Sequence, residues 1–205
     1  MRPNCAICLR PKITCICHLI TKVDTAIEVL ILQHPLEVTE TKGTARLLHL
    51  CLPNSQLLTG EVFEDGLLRN SLSAKNAILL YPTTLEDHSL GISPSPELNP
   101  ILLKDLSNIR LIIIDGTWRK SRKILIKNPY LQTLPRLILR DLPVGQYTIR
   151  KARKPHQLST LEAACAALAQ MESHINSNKT KFQPITESFS AFNAFIALQT
   201  QRGAK

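Results

Sequence analysis

Aromatic residues make up only 4% of this 205-residue chain, which excludes the broad base-stacking sheet of an RRM-type RNA reader. Glycine is scarce as well, at seven residues. Neither GxGxxG nor GxxxxGK[ST] occurs, so a dinucleotide-binding Rossmann unit and a P-loop are both excluded. No stretch approaches the roughly 18 consecutive apolar residues of a membrane span. The opening Met-Arg-Pro-Asn-Cys lacks the apolar core of a signal peptide, so the expectation is a reducing cytoplasm. Internal repeats and low-complexity segments are absent. Acidic residues are outnumbered, 16 against 25 Lys plus Arg, for a net charge of +9. A surplus of that size suits a polyanionic partner through counterion release, although a basic protein without such a partner carries the same charge.

What is present is a globular α/β pattern. Hydrophobic residues are 44% of the chain, enough for a sizeable core. Three apolar runs read as buried strands: AIEVLILQH at 26–34, AILLYP at 77–82 and IRLIIIDG at 109–116. A fourth, PRLILRD, ends at residue 141. Helical spacing follows in TARLLHLC at 44–51, with Thr44 as N-cap, and in TWRKSRKILIKN after the third strand. STLEAACAALAQMESHI at 159–175 is the strongest helix, with Ser159 or Thr160 as cap and Glu162 completing a capping box. An amphipathic helix is expected over 187–201, and the Ser-Pro-rich stretch 83–100 reads as a long loop. Strands alternating with helices predict an α/β fold on a mostly parallel sheet with helices on both faces.

Four of the six cysteines crowd the first 22 residues as C-x2-C-x6-C-x-C: Cys5, Cys8, Cys15 and Cys17. Four thiolates in thirteen residues can close a tetrahedral Zn²⁺ site, and in a reducing compartment metal is favoured over disulfides. His18 is the alternative fourth ligand. With every position filled by protein, the zinc would be structural. Residues 1–22 thus read as a zinc-binding module and 23–205 as the main domain. Cys51 and Cys165 lie in apolar helical patterns and read as packing.

The segment LIIIDGTWRKSRK delivers Asp115 to the C-terminal end of a buried strand, where open α/β sheets place their ligands. Gly116 permits a sharp turn and close backbone approach. Thr117 can cap the next helix, whose free N–H groups can face an anion. Trp118 is the only tryptophan. Arg119, Lys120, Arg122 and Lys123 then put positive charge where the helix dipole disfavours it, which fits phosphate contact. A plain structural reading stands beside this one: Asp115 as cap, Trp118 as core and the basic run as a solvated face.

Asp115-Gly116-Thr117-Trp118 matches the D-x-T-W signature, and the chain resembles the DTW-domain family. The resemblance spans nearly the whole sequence in family order. C-x2-C…R-P…C-x-C comes first, followed by HPLE at 34–37, TARLLHLCLPNS at 44–55 and LLYP at 79–82. DGTWRKSRK at 115–123 and LSTLEAA at 158–164 complete the series. Gly43 stands where an asparagine is expected, and RKARKP lacks an expected acidic residue. The resemblance implies a SPOUT-like fold whose C-terminal half ties a trefoil knot around S-adenosylmethionine. It also implies transfer of the 3-amino-3-carboxypropyl group to N3 of a variable-loop tRNA uridine, leaving methylthioadenosine.

On that reading Asp115 is the catalytic candidate, as a base for uracil N3–H or as a holder of the cofactor's ammonium group. Gly116, Thr117, Trp118, Arg150, Ser159, Thr160 and Glu162 join it in binding the cofactor, Arg150 as partner of the cofactor carboxylate. Ser159, Thr160 and Glu162 are equally explained as a helix cap. His34, Glu37, Thr44, Arg46, Arg119, Lys120 and Lys151 are the substrate-binding candidates, His34 and Glu37 as pocket residues and Thr44 and Arg46 either at a phosphate or lining the cofactor pocket. Two rival functions share the composition: a SPOUT-like RNA methyltransferase and a non-catalytic, zinc-containing RNA-binding protein.

Overall fold

The protein is described by a computed structural model covering residues 3–84, 87–140, 158–173 and 180–203. Arg150 and Lys151, with the end of the expected fourth strand, lie outside the described residues. In chain order the elements are β1 (Glu28–Gln33), α1 (Ala45–Cys51), β2 (Ser55–Thr59), α2 (Asp65–Ser73) and β3 (Asn76–Leu80). After them come β4 (Ile109–Asp115), α3 (Trp118–Lys127), α4 (Pro129–Gln132), β5 (Arg136–Leu137), α5 (Thr160–Glu172) and α6 (Gln183–Gly203). Short 3-10 turns fill much of the segment before β4, including Pro100–Lys104.

The five strands among the described residues are all parallel, in the order β2-β1-β4-β3-β5. Alternation along the central strands divides the core in two. Val29, Ile31, Leu111 and Ile113 pack on one face with α1, α5 and α6. Leu30, Leu32, Ile112 and Ile114 pack on the other, with Leu68 and Leu72 of α2, Ile124 and Leu125 of α3 and Leu131 of α4. Both faces are therefore covered by helices, as continuous apolar runs require. From β1 the chain leaves through α1 toward β2; from β4 it leaves through α3, on the opposite face, toward β5. The C-terminal ends of β1 and β4 thus flank the crevice of a topological switch point.

The strand expected to run to residue 141 is only Arg136–Leu137. After Leu137 the backbone is taken up by the Gln170 side chain of α5, which accepts from Arg140 N–H at 2.9 Å and donates to Ile138 O at 3.1 Å, while the Arg136 side chain reaches the loop after β3. Its Nη1 donates to Asp87 Oδ2 at 2.7 Å in a pair whose side chains are 2% and 11% exposed. Burial raises the Asp87 carboxyl, but hydrogen bonds from Thr84 and Arg136 outweigh it and leave the group below its ordinary range. Asp87→Ala should therefore cost about 3–5 kcal/mol in urea unfolding, since it strands a buried guanidinium. A loss under about 1 kcal/mol would mean that the pair does not hold this loop.

The N-terminal cysteine segment is sewn into the first face of the core. Cys8 and Ile16, 2% and 0% exposed, belong to the same cluster as Phe189 and Phe192 of α6. Arg10 Cζ stands 5.1 Å from the centroid of the Phe192 ring, and Ser188 of α6 donates to Thr21 at 3.0 Å. No helix among the described residues is long and apolar enough to cross a membrane.

Candidate active site

Gln33 and Asp115 end β1 and β4 in the same register position. Gln33 Nε2 donates to Asp115 Oδ2 at 3.0 Å, and Thr160 Oγ1, in the first turn of α5, donates to Asp115 Oδ1 at 2.6 Å. The buried Asp115 carboxylate is therefore held at both oxygens by neutral donors. Its backbone carbonyl accepts from His34 N–H at 3.0 Å, which joins the two strand ends beyond the sheet. The two hydrogen bonds fix the orientation of the carboxyl group.

Gly116 makes the sharp exit possible. A Cβ there would lie 3.0 Å from Lys120 Cβ and 3.6 Å from His34 Cβ, so a side chain would push α3 off the end of β1. Thr117 caps α3, its hydroxyl accepting from Lys120 N–H at 3.4 Å. Trp118 is not core: it is 49% exposed and meets the buried Tyr81 edge-on, ring centroids 6.0 Å apart. Arg119 is exposed beside it.

The turn after β1 supplies a second layer. His34 Nδ1 accepts from Leu36 N–H at 3.1 Å, so Nε2 carries the proton that it donates to Glu61 Oε1 at 2.8 Å. Glu61 also receives Lys123 and Lys127 of α3, at 2.8 and 2.9 Å. These lysines draw its carboxyl from the usual 4.5 down to about 2. Glu37 is buried and takes Lys120 Nζ at 2.8 Å. The basic start of α3 is thus partly neutralised by two carboxylates, so Lys120 holds the β1 turn. Because the Glu61 carboxyl is lowered, its stabilisation is complete above pH 4.5 and fades as pH falls toward about 2. The stability difference between wild type and Glu61→Gln, from urea midpoints at stepped pH, should shrink across that window. A difference independent of pH would contradict the bridge.

Thr44 ends at the same place, although it does not cap its own helix. Its hydroxyl accepts from Leu161 N–H of α5 at 3.4 Å. Ser159 and Glu162 form the expected capping box, each side chain bonding the other's backbone N–H, at 3.2 and 2.8 Å. Their side chains thus set the start of α5, while the Thr160 hydroxyl reaches Asp115. Arg46 sits half-buried in the first turn of α1, where its charge, after burial, helps lower the His49 pKa.

The structure therefore brings together His34, Glu37, Thr44, Asp115, Gly116, Lys120 and Thr160. It does not join Arg46 to them by a described contact. Two residues of the site escaped sequence reasoning, Gln33 and Glu61. Gln33 carried a signal, being the one amide in its strand, set after four apolar residues and directly before His-Pro. Glu61 had none, since only the fold brings it to His34. A separate polar groove, lined by Glu28, Asn54, Ser55, Gln56 and Arg110, opens at the N-terminal edge of the sheet, away from this cluster.

At the N-terminus, Cys5, Cys8, Cys15 and Cys17 offer four Sγ atoms all within 4.8 Å of one another. Cys5–Cys17 and Cys8–Cys15 are separated by 3.6 and 3.7 Å, close to the ~3.8 Å edge of a tetrahedron of thiolates around Zn²⁺. Backbone N–H groups of Cys8 and Ile7, then Cys17, hold the Cys5 thiol down at about 6. Burial and the neighbouring thiols push Cys17 up to about 12. A divalent cation at the centre removes that conflict, so the donor set fits a metal ion. Exposed His18 lies apart from the four thiols, its ring edge-on to Phe195 at 5.4 Å.

The DTW domain family model matches residues 2–197. A Mus musculus protein named tRNA-uridine aminocarboxypropyltransferase 2 is 28% identical over 215 residues, covering 100% of this chain and 66% of the mouse protein. A Drosophila melanogaster protein of the same name is 30% identical over 198 residues, covering 90% of this chain and 72% of its own length. The Arabidopsis thaliana tRNA-uridine aminocarboxypropyltransferase A is 30% identical over 135 residues, 60% of this chain and 50% of that protein. The chain spans just under two thirds of the length of the mouse protein, at 66%. No solved structure matches. With its D-x-T-W turn at the switch point and the family model running across almost its whole length, the chain belongs to the DTW-domain family.

Proposed function

We propose that this chain is an S-adenosylmethionine-dependent tRNA-uridine aminocarboxypropyltransferase. The carrying observation is the Asp115 carboxylate, fixed by Gln33 and Thr160 at the switch point of the sheet, one turn from the exposed ring of Trp118. The names of the family relatives supply the reaction class.

When bound, S-adenosylmethionine supplies a methionine-chain carbon made electrophilic by its sulfonium. Uridine N3 would bond to that carbon as the carbon–sulfur bond gave its electron pair to sulfur, the N3 proton passing to Asp115 or to water. The products are 3-(3-amino-3-carboxypropyl)uridine and methylthioadenosine. Asp115, already oriented, orders either the N3–H or the donor's ammonium group without reorganising at the moment of reaction. Gln33 and Thr160 keep that orientation. Trp118 offers an aromatic face for the nucleoside part of the donor, and Gly116 with Thr117 keeps the backbone close. Arg150 is read as the partner of the donor's carboxylate. Arg119 and Lys151 extend the positive surface toward tRNA phosphate.

The parallel sheet and the docking of α5 against Asp115 support a SPOUT-like arrangement with a C-terminal trefoil knot around the donor. Residues 1–22 are read as a module held by a structural zinc ion on the catalytic part, 23–205. The setting is a reducing cytoplasm.

Double labelling tests the reaction class. Label in the carboxyl carbon of S-adenosylmethionine should enter unmodified tRNA, whereas label in its methyl group should not. The reverse pattern would move the protein to methyl transfer. No incorporation, with tRNA bound, would leave a binding protein.

A further inference from the structure

The LLYP block at 79–82 has no part in the chemistry described above, yet its tyrosine stands against Trp118. β3 and β4 are neighbours, with Leu80 level with Ile113. The chain leaving β3 and the Asp115–Trp118 turn leaving β4 therefore emerge side by side. Tyr81 is 5% exposed and Trp118 49%. Their ring centroids are 6.0 Å apart and their planes 77° apart, an edge-to-face arrangement that aromatic pairs prefer. It is the only ring pairing of Trp118 among the described residues.

Tyr81 is itself fixed from two further directions. The Arg136 guanidinium stands over its ring, with Cζ 5.6 Å from the centroid. Nε and Nη2 of this buried guanidinium have no hydrogen-bond partner among the described residues, so its charge is met by Asp87 and by the π face of Tyr81. Burial raises the Tyr81 phenol, which therefore keeps its proton, and a hydrogen bond links it to the Ser121 side chain. The Ser121 hydroxyl donates to Trp118 O at 3.1 Å, so it accepts from Tyr81. Tyr81 thus holds Trp118 twice, by its ring at the indole and through Ser121 at the backbone.

A half-exposed side chain without such contacts exchanges rotamers within picoseconds to nanoseconds, and a ligand that stacks on it must stop that motion. Immobilising one such side chain weakens binding by about three- to tenfold. An indole already held presents its face without that loss.

We propose that Tyr81, backed by Arg136, is a positioning residue that holds the Trp118 indole as a ready platform for the adenine ring of the donor. The inference rests on the reading of Trp118 as the contact for the donor's nucleoside part.

Trp118 is the only tryptophan, so its fluorescence reports on this site alone. In the wild-type protein its anisotropy should decay with the tumbling of the whole molecule. A dominant faster component there would overturn the proposal before any variant is made. Tyr81→Leu, checked for folding by circular dichroism, should introduce that faster component. By equilibrium dialysis it should also bind methylthioadenosine, which carries the nucleoside without the amino-acid chain, about three- to tenfold more weakly. Tyr81→Phe keeps the ring and should restore most of both. In transfer assays with saturating tRNA, Tyr81→Leu should raise KM for S-adenosylmethionine by the same factor and leave kcat within about twofold, as loss of uniform binding requires. An indole equally ordered in folded Tyr81→Leu, or an unchanged affinity for methylthioadenosine, sinks the proposal. So does a fall in kcat at unchanged KM. If methylthioadenosine binds wild type yet leaves Trp118 emission unchanged, the platform falls while the transferase reading stands. If neither methylthioadenosine nor S-adenosylmethionine binds, the transferase reading falls and takes the platform with it, whatever holds the indole.

Discussion

Asp115→Asn is expected to lower single-turnover transfer by about 10²–10⁴-fold, the usual range for a positioned acid–base group. The substitution keeps the shape of the side chain and removes its charge. Oδ2 becomes part of an amide facing Gln33 Nε2, so the glutamine must turn its carbonyl toward it, and Thr160 remains able to donate. One reorganised neutral hydrogen bond costs about 1 kcal/mol, so the variant should stay folded, which scanning calorimetry checks. Binding of S-adenosylmethionine then separates the two roles of the carboxylate. If Asp115 orders the uracil proton, donor affinity stays and the rate falls. If it holds the donor's ammonium group, donor affinity falls too, while methylthioadenosine, which lacks that group, binds as before. Transfer at the wild-type rate would remove Asp115 from the site altogether.

With a metal ion closing the four-cysteine site, its removal should unfold far more than twenty residues. Cys8 and Ile16 are part of the core that buries Phe189 and Phe192, so the cysteine hairpin lies against α6 as a structural layer. Structural Zn²⁺ sites bind with about 10–16 kcal/mol in isolated zinc-finger peptides. Whole domains are stable by only about 5–15 kcal/mol. Chelation, or Cys8→Ser, should therefore lower the melting temperature by more than about 10 °C, and hydrogen exchange should show α6 losing protection with the hairpin. If α6 keeps full protection in chelated protein, the hairpin is an appendage and its contact with Phe192 contributes little.

The parts of the fold that were legible in the sequence are those whose burial is two-sided. β1 and β4 are nearly uninterrupted runs of Val, Ile and Leu because helices cover both faces, and they announce themselves without alternation. β2 was missed for the opposite reason: Ser55–Thr59 is an edge strand, mostly exposed, with no apolar stripe to read. α2 was missed as well, because its mixed Asp-Gly-Leu-Leu-Arg-Asn start carries little helical signal. The D-x-T-W turn announced a strand end at Asp115 and a helix cap at Thr117, and the four cysteines are clustered as their spacing requires. Pairings across distant segments stayed invisible. Nothing local announces that Glu61 bridges His34 to α3, that Thr44 serves α5 rather than its own helix, or that Lys120 is tied to Glu37.

The most direct test of the central claim is nucleoside mass spectrometry of unmodified tRNA incubated with the purified protein and S-adenosylmethionine. The expected result is 3-(3-amino-3-carboxypropyl)uridine in the tRNA and an equal amount of methylthioadenosine in solution. A methylated nucleoside accompanied by S-adenosylhomocysteine, or an unmodified tRNA recovered from a stable complex, would contradict it.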